Sequence, residues 1–216
     1  TAIQAQFERE GFDWSYKHNL VEVKNGEAVF ANKVKVGTKY DEDLEENVDV
    51  FETKMVTTNY DFIHVTPPQK APDEIGKSAI GSAKGWVPVK KETLQHVKFD
   101  NVFALGDIAA VPMGKTGGTA RKQYKVVTDN VLSMLETGSI PAENTKFDGY
   151  TVCPWITSIG TGMLAEFNWA SKKPGSGKNA ASVSFLDPTQ ERYIWWLLKF
   201  YLLKPMTVHG MLSGKA

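Results

Sequence analysis

The chain has 216 residues, 42% of them hydrophobic and 23% charged, and its 25 basic and 25 acidic side chains give a formal net charge of zero. This balance argues against a protein that chiefly binds nucleic acid, because such proteins normally carry a basic excess. The single cysteine, Cys153, excludes an intrachain disulfide and a cysteine-built zinc site, and the sequence predicts no metal site.

The first 68 residues predict one short helix followed by strands and turns. The helix covers residues 1–10 and ends at Gly11, because glycine commonly terminates helices. Asn25-Gly26 predicts a hairpin between two strands. The run from Asp41 to Glu52 is rich in acids and contains no basic residue, and we interpret it as a solvated loop or sheet edge rather than a cation site. Strands are predicted over residues 12–16, 19–23, 27–31, 51–57 and 62–65.

The rest of the chain alternates between helix and strand patterns. A helix is predicted from residue 116 to residue 135, closed by Gly138. Turn-rich stretches are predicted over residues 67–84 and 172–177. Strands, or a loop in the case of 147–155, are predicted over residues 86–89, 101–105, 147–155 and 163–169. This mixture assigns the chain to the α/β class.

The last predicted element is an apolar segment, Tyr193–Leu203, which lies between Arg192 and Lys204 and which Pro205 is expected to end. As a helix it would be roughly 16 Å long, too short to cross a hydrocarbon core of about 30 Å. Its tyrosine and tryptophan rings and its basic ends are typical of a segment that lies in one leaflet of a membrane. A buried core helix and a dimer contact are the alternative interpretations.

A strand that runs into a Gly-Asp pair forms the first candidate site. Residues 102–105 precede Gly106 and Asp107, and a helix is predicted to begin a few residues later. The glycine allows backbone to approach a ligand closely, and the carboxylate can accept hydrogen bonds from sugar-like hydroxyls. The N-terminus of the following helix favours a ligand group that gains negative charge, such as a reduced flavin. An ordinary strand-to-turn connection is the alternative.

These motifs resemble those of a known group of flavoproteins. Val102-Phe103-Ala104-Leu105-Gly106-Asp107 resembles the second FAD motif of flavoproteins with two dinucleotide-binding domains. Six further segments resemble sulfide:quinone oxidoreductases in particular. The resemblance covers nearly the whole chain, from about Phe7 to Leu203. Those segments are His64–Pro68, Gly85–Val89, Glu92–His96, Lys115-Thr116, Phe147–Pro154 and Leu164–Phe167.

The resemblance implies a fold, a cofactor and site residues. The fold would consist of partial Rossmann-like FAD/NAD(P)-type domains of a flavoprotein disulfide reductase, with a membrane-associating helical segment at the C-terminus. Residues 1–68 would belong to the second dinucleotide-type domain, 69–140 to the FAD-binding domain and 141–216 to the flavin and quinone side. FAD would contact Gly106, Asp107, Lys115, Thr116 and Gly117, with Asp107 on its ribitol chain.

The same resemblance makes Cys153 the sulfur-handling thiol, because a thiolate attacks sulfur and flavin electrophiles. If the resemblance is set aside, a cysteine beside Pro154 and Trp155 is more often a small, buried, apolar side chain. The implied enzyme oxidises sulfide through a cysteine pair and FAD, reduces a membrane quinone and passes sulfur to a sulfane-sulfur acceptor. It would be a peripheral, monotopic protein of a bacterial cytoplasmic membrane or the mitochondrial inner membrane, and could form homo-oligomers.

The sequence lacks a Gly-x-Gly-x-x-Gly segment for the FAD pyrophosphate and a second redox cysteine. The chain would therefore be the C-terminal part of such an enzyme, inactive without an N-terminal half. Two other functions remain open. One is a type II NADH:quinone oxidoreductase-like flavoprotein, which has no need of Cys153, and the other is a non-catalytic membrane-binding or interaction module.

Overall fold

The structure is a computed structural model that describes residues 2–41, 46–112, 114–169 and 186–214. The chain divides into two compact units, Thr1–Pro68 and Gln69–Ala216, and each is described here by itself. The turn predicted over residues 172–177 lies outside the described residues.

The first unit contains a helix and a three-stranded antiparallel sheet. Helix α1 (Ala2–Glu10) is followed by strands β1 (His18–Lys24), β2 (Glu27–Asp41) and β3 (Glu46–Asn59), which pair in the order β1-β2-β3. The predicted hairpin is confirmed: Lys24 pairs with Glu27 across the Asn25-Gly26 turn, where Gly26 has φ 80°. Much of the acid-rich run lies in β3 at the edge of the sheet, and residues 42–45 lie outside the described residues.

Two strands predicted in this unit are wrong. Residues 12–16 are irregular, because Phe12 and Trp14 pack their rings against Phe7, with centroids 6.1 and 5.7 Å apart, instead of pairing along a sheet edge. Residues 62–65 are also irregular. The pairing of β3 ends where Asn59 faces Glu27, and Pro67 and Pro68 prevent a further strand from forming beyond it.

The second unit contains a long helix and a two-stranded antiparallel hairpin. Its elements are α2 (Asp73–Gly76), a 3-10 turn (Gly106–Ile108), α3 (Gly117–Thr137), β4 (Thr151–Ser158) and β5 (Thr161–Phe167). The predicted α3 is confirmed, with Thr116 as its N-cap and Gly138 ending it at φ 73°. The predicted strands 86–89 and 101–105 reduce to isolated bridges. In residues 86–89, Pro88 has no N–H with which to extend a ladder.

The core of the second unit lies beneath α3. Its buried apolar side chains are Val87, Val89, Leu94, Ala104, Ala109, Val126 and Phe147. The buried stripe of α3 consists of Thr119, Gln123, Val126 and Asn130, spaced as one face of a helix. Because three of these four residues are polar, each needs a specific hydrogen-bond partner, and these partners fix how α3 sits on the loops around it.

The C-terminal helical segment runs from Tyr193 to Met211 and alternates between α and π geometry. It consists of α4 (Tyr193–Leu197), a π-helix (Leu198–Leu202), α5 (Leu203–Pro205) and a second π-helix (Met206–Met211). The expectation that Pro205 ends the helix is wrong. Pro205 is the last residue of α5, and the chain keeps its helical geometry through it into the second π-helix.

The mixed α/β class is confirmed. Both sheets of the described residues are antiparallel, and a parallel pairing occurs there only as the bridge between Val87 and Ala109. Parallel sheets require crossover connections, whereas short turns join the consecutive strands β1 to β2 and β4 to β5. The Rossmann-like arrangement therefore stays a prediction.

Among the described residues, no helix combines the length and the apolar character needed to cross a membrane.

Candidate functional site

The Gly-Asp turn begins the 3-10 helix of the second unit. Gly106 has φ 71°, a left-handed conformation that residues with a Cβ seldom adopt. A Cβ built on Gly106 would meet no other atom within 4 Å, so the space beside this backbone is open. Asp107 is exposed. The turn therefore presents an accessible carboxylate beside open backbone.

Gln123 supports this turn from α3. Its side-chain Oε1 accepts a hydrogen bond from the backbone N–H of Gly106 at 2.6 Å. Gln123 is fully buried, and its Nε2 has no hydrogen-bond partner among the described residues. Both atoms belong to one amide, so the unpaired donor lies close to the Gly106 turn. A buried donor without a partner is costly, so this nitrogen suits a polar atom of a bound ligand or a water molecule.

Lys115, which precedes α3, also contacts this turn. Its Nζ donates hydrogen bonds to the backbone carbonyls of Asp107 and, at 3.4 Å, Ala109, and it lies 4.0 Å from the centre of the Trp86 ring. Burial lowers the pKa of the Lys115 ammonium, and the nearby Asp107 carboxylate partly offsets this effect. The structure thus places the charge of Lys115 on the backbone of the turn.

The first turn of α3 carries two more predicted site residues. Thr116 caps the helix, because its Oγ1 accepts a hydrogen bond from the Thr119 N–H at 3.2 Å. Gly117 is exposed, and a Cβ built on it would meet nothing within 4 Å. No acidic residue lies in this turn, so the partial positive charge of the helix N-terminus is not neutralised there.

Cys153 lies on β4, whose first residues pack against the start of α3. The Thr119 Oγ1 donates to Thr151 Oγ1 at 3.5 Å, and a Cβ built on Gly118 would overlap the Val152 side chain. Cys153 is the next residue along β4, where it pairs with Ala165 of β5, and it is free and exposed. The interpretation of this cysteine as a buried core residue is therefore wrong, because β4 turns its side chain towards solvent.

A cluster of polar side chains that the sequence patterns did not reveal joins the same elements. The Tyr150 hydroxyl donates to Glu166 Oε1 at 2.5 Å, and α3 contributes the guanidinium of Arg121 and the ammonium of Lys122, which lies 5.4 Å from the Tyr150 ring centre. Burial and the hydrogen bond to Glu166 raise the pKa of Tyr150 well above its ordinary value. Tyr150, three residues before Cys153, is a local signal for this cluster.

The chemistry of these residues is compatible with a large polar ligand such as FAD. The open backbone at Gly106 and Gly117, the unpaired Gln123 Nε2 and the accessible Asp107 carboxylate all suit a large polar ligand. The described residues contain no group of three or more His, Cys, Asp or Glu side chains that could hold a metal ion. An open cleft of about 480 Å³ lies instead near the C-terminal end of α3, beside Met134 and Gly138.

Three curated relatives share one name. The chain is 32% identical to the mitochondrial sulfide:quinone oxidoreductase of Mus musculus over 215 residues, covering 99% of this chain and 42% of that protein. It is 35% identical over 208 residues to the protein of the same name from Dictyostelium discoideum, covering 95% and 40%, and 32% identical over 188 residues to that of Schizosaccharomyces pombe, covering 86% and 36%.

The resemblance carried by the motifs is confirmed by these similarities, and the chain spans about two fifths of the length of the relatives it matches. No family model matches the chain. Among solved structures, it is similar to a chain in the cryo-EM structure of the Tetrahymena thermophila mitochondrial ATP synthase F1Fo composite tetramer. That match has a TM-score of 0.65 and 22% identity and covers 94% of this chain and 44% of the other, which shows a shared fold alone.

Proposed function

We propose that this chain contributes one reactive thiol and part of the FAD-binding site to a sulfide:quinone oxidoreductase, which is an FAD-dependent enzyme. One structural observation carries the proposal beyond the similarity of sequence. The first two turns of α3 contact both the Gly-Asp turn, through Gln123, and the strand of Cys153, through Gly118 and Thr119. A single helix therefore links the residues expected to hold a flavin to the residue expected to handle sulfur.

FAD, when bound, would supply the two-electron redox chemistry. The Asp107 carboxylate would accept hydrogen bonds from the ribitol hydroxyls, and the open backbone of Gly106 and Gly117 would allow the ligand to approach closely. The N-terminus of α3, capped by Thr116, would favour negative charge on the nearest part of the ligand. Lys115 would act by holding the Gly-Asp turn in shape. Residues 1–140 would belong to partial Rossmann-like domains.

Cys153 would be the sulfur-handling thiol. Its exposure on β4 allows a sulfur substrate to reach it, and a thiolate attacks sulfur electrophiles. The 216 residues contain one cysteine, so the second thiol of a redox pair would come from outside this sequence. Sulfide, a sulfane-sulfur acceptor and a quinone would be the substrates, and the chain by itself would be inactive.

The C-terminal helical segment would bind the membrane that contains the quinone. It exposes Tyr193 and Tyr201 to solvent, and it carries Lys199 and Lys204 but no acid. Rings with a polar edge and basic side chains favour the interface of a bilayer. Because the three relatives are named as mitochondrial, the mitochondrial inner membrane is the favoured location, with monotopic attachment.

The test uses the longest natural polypeptide that carries this chain. We expect it to bind FAD and to reduce a ubiquinone analogue when sulfide is added. Cys153→Ser should lower that rate at least a hundredfold while the flavin absorption stays unchanged, and Ala165→Ser, opposite Cys153 on β5, should keep the rate within twofold.

Two outcomes would contradict the proposal. A wild-type rate in the Cys153→Ser variant with flavin bound would remove the thiol from the reaction and would favour an NADH-oxidising relative. Failure of the polypeptide to bind FAD would favour a non-catalytic module with the same fold.

A further inference from the structure

The tip of the β4–β5 hairpin and the C-terminal helical segment form one packed body. The backbone N–H of Gly162 donates to the Arg192 carbonyl at 3.1 Å, and the Arg192 N–H donates to the Gly162 carbonyl at 2.8 Å. A Cβ on Gly162 would lie 2.7 Å from the Trp155 carbonyl oxygen and 3.2 Å from the Trp196 nitrogen, so the helix and strand pack with no room for a side chain. The hairpin tip therefore has a fixed position beside the start of the helical segment.

Both parts of this body expose apolar side chains. At the hairpin turn Ile159 is 94% exposed, and a Cβ on the following residue, Gly160, would lie 3.9 Å from the Tyr193 ring. In the helical segment Phe200 is 63% exposed, and Leu212, which directly follows the segment, is 78% exposed. The rings are held rigidly, since Trp196 stacks on Tyr193 and Phe200 with centroids 5.5 and 5.2 Å apart. Rigid exposed rings and aliphatic tips lose little side-chain entropy on entering a new environment.

The charged side chains within these two parts are basic. Residues 151–165 contain no charged side chain, and residues 193–214 contain Lys199 and Lys204 but no acid, whereas Arg192 interacts electrostatically with Asp187. Such a surface is complementary to anionic phospholipid headgroups, because the basic groups can contact phosphate while their aliphatic stems stay with the apolar side chains.

We propose that the tip of the β4–β5 hairpin inserts into the headgroup region of an anionic phospholipid membrane together with the C-terminal helical segment, with Ile159 as the leading side chain. This inference rests on the proposed function and adds a second attachment point to it. Cys153 lies six residues before Ile159 on the same hairpin, which is roughly 20 Å of extended chain. The hairpin would thus fix the distance between the reactive thiol and the membrane surface.

The test measures binding of the chain to sedimented vesicles, made either of phosphatidylcholine alone or of equal parts phosphatidylcholine and phosphatidylglycerol. The unaltered chain should bind the anionic vesicles more tightly. Ile159→Ser should weaken that binding about tenfold, because a buried aliphatic side chain is lost from the interface. The control is Leu135→Ser, which alters a 79% exposed leucine on α3 and should leave binding unchanged.

A second measurement does not depend on affinity. In a Cys153→Ser background, Ile159→Cys carries an environment-sensitive fluorophore, whose emission should shift to the blue on vesicle binding and be quenched by lipids with spin labels near the headgroup. Leu135→Cys, labelled in the same way, should show neither change.

Failure of this inference can be separated from failure of the membrane attachment as a whole. If the unaltered chain does not bind vesicles, the attachment proposed for the C-terminal helical segment is wrong as well. If the chain binds and Ile159→Ser binds equally well, only the role of the hairpin is overturned. If Ile159→Ser instead dissociates a dimer seen by analytical ultracentrifugation without lipid, the surface belongs to a contact between two copies, which also overturns the inference.

Discussion

Gln123 and Gly106 are joined by a hydrogen bond of 2.6 Å from the Gly106 backbone N–H to the Gln123 Oε1. The bond ties the second turn of α3 to the Gly-Asp turn across 17 positions of sequence, and the glutamine is fully buried. It holds the left-handed backbone of Gly106 in place while the Asp107 carboxylate remains exposed. The geometry of the turn therefore depends on a helix that lies after it in the chain.

Replacing Gln123 tests this dependence. Gln123→Met keeps the side-chain volume but leaves the Gly106 N–H without an acceptor, so the free energy of unfolding should fall by about 1–3 kcal/mol. Urea denaturation measures the loss, and hydrogen exchange should show reduced protection of the Gly106 amide. Thr128→Met, an exposed change on the same helix, should alter neither quantity. Full protection of Gly106 in Gln123→Met would contradict the supporting role.

Two adjacent glycines in the first turn of α3 should respond in opposite ways to alanine. Gly118→Ala places a methyl group against Val152 and should cost about 1–3 kcal/mol of stability, because the start of β4 must move away. Gly117→Ala points into open space and should stabilise the chain by about 0.5–1 kcal/mol, because alanine favours helix. Thermal unfolding of both variants checks the difference. Equal effects would mean that α3 and β4 do not pack as described.

The pair Tyr150 and Glu166 predicts a loss of stability at alkaline pH. The pKa of Tyr150 is raised above its ordinary value of 10.0, chiefly by burial and then by the hydrogen bond to Glu166. Below pH 10 both folded and unfolded states hold the proton, so the stabilisation is complete. Above it the unfolded state releases the proton first, and stability falls as pH rises.

The urea midpoint of the wild-type chain should therefore decrease between about pH 9 and pH 11, and Tyr150→Phe should reduce that decrease. Absorbance at the tyrosinate band gives an independent reading, since one tyrosine should ionise only on unfolding. If Tyr150→Phe kept the full alkaline slope, the slope would have to come from other groups.

Cys153 is predicted to react as an accessible thiol in the folded chain. Because its side chain is exposed on β4, a disulfide reagent such as dithionitrobenzoate should label it without denaturant, at a rate within about tenfold of that in urea. Absorbance of the released thiolate measures the reaction, and Cys153→Ser is the blank. If labelling occurred only after unfolding, Cys153 would be buried in the folded chain and the prediction would be wrong.

Local patterns were enough to predict several elements of this protein. The N-cap Thr116 and the terminal Gly138 bound α3 closely, and Asn25-Gly26 marked its hairpin, because caps and turns depend on residues a few positions apart. The Gly-Asp motif and the six further segments, taken together, were sufficient to indicate the relatives. The helix through Pro205 was not predictable in this way, because proline ordinarily ends a helix.

The sequence by itself determined which residues are candidates for the site: the carboxylate of Asp107, a helix start at Thr116 and one thiol at Cys153. Only the tertiary structure decided how they are joined. Gln123 reaches Gly106 and Thr119 reaches Thr151 across 17 and 32 positions of sequence. Contacts of this range arise from burial and from the need of each buried polar group for a partner, and neither leaves a pattern in neighbouring residues.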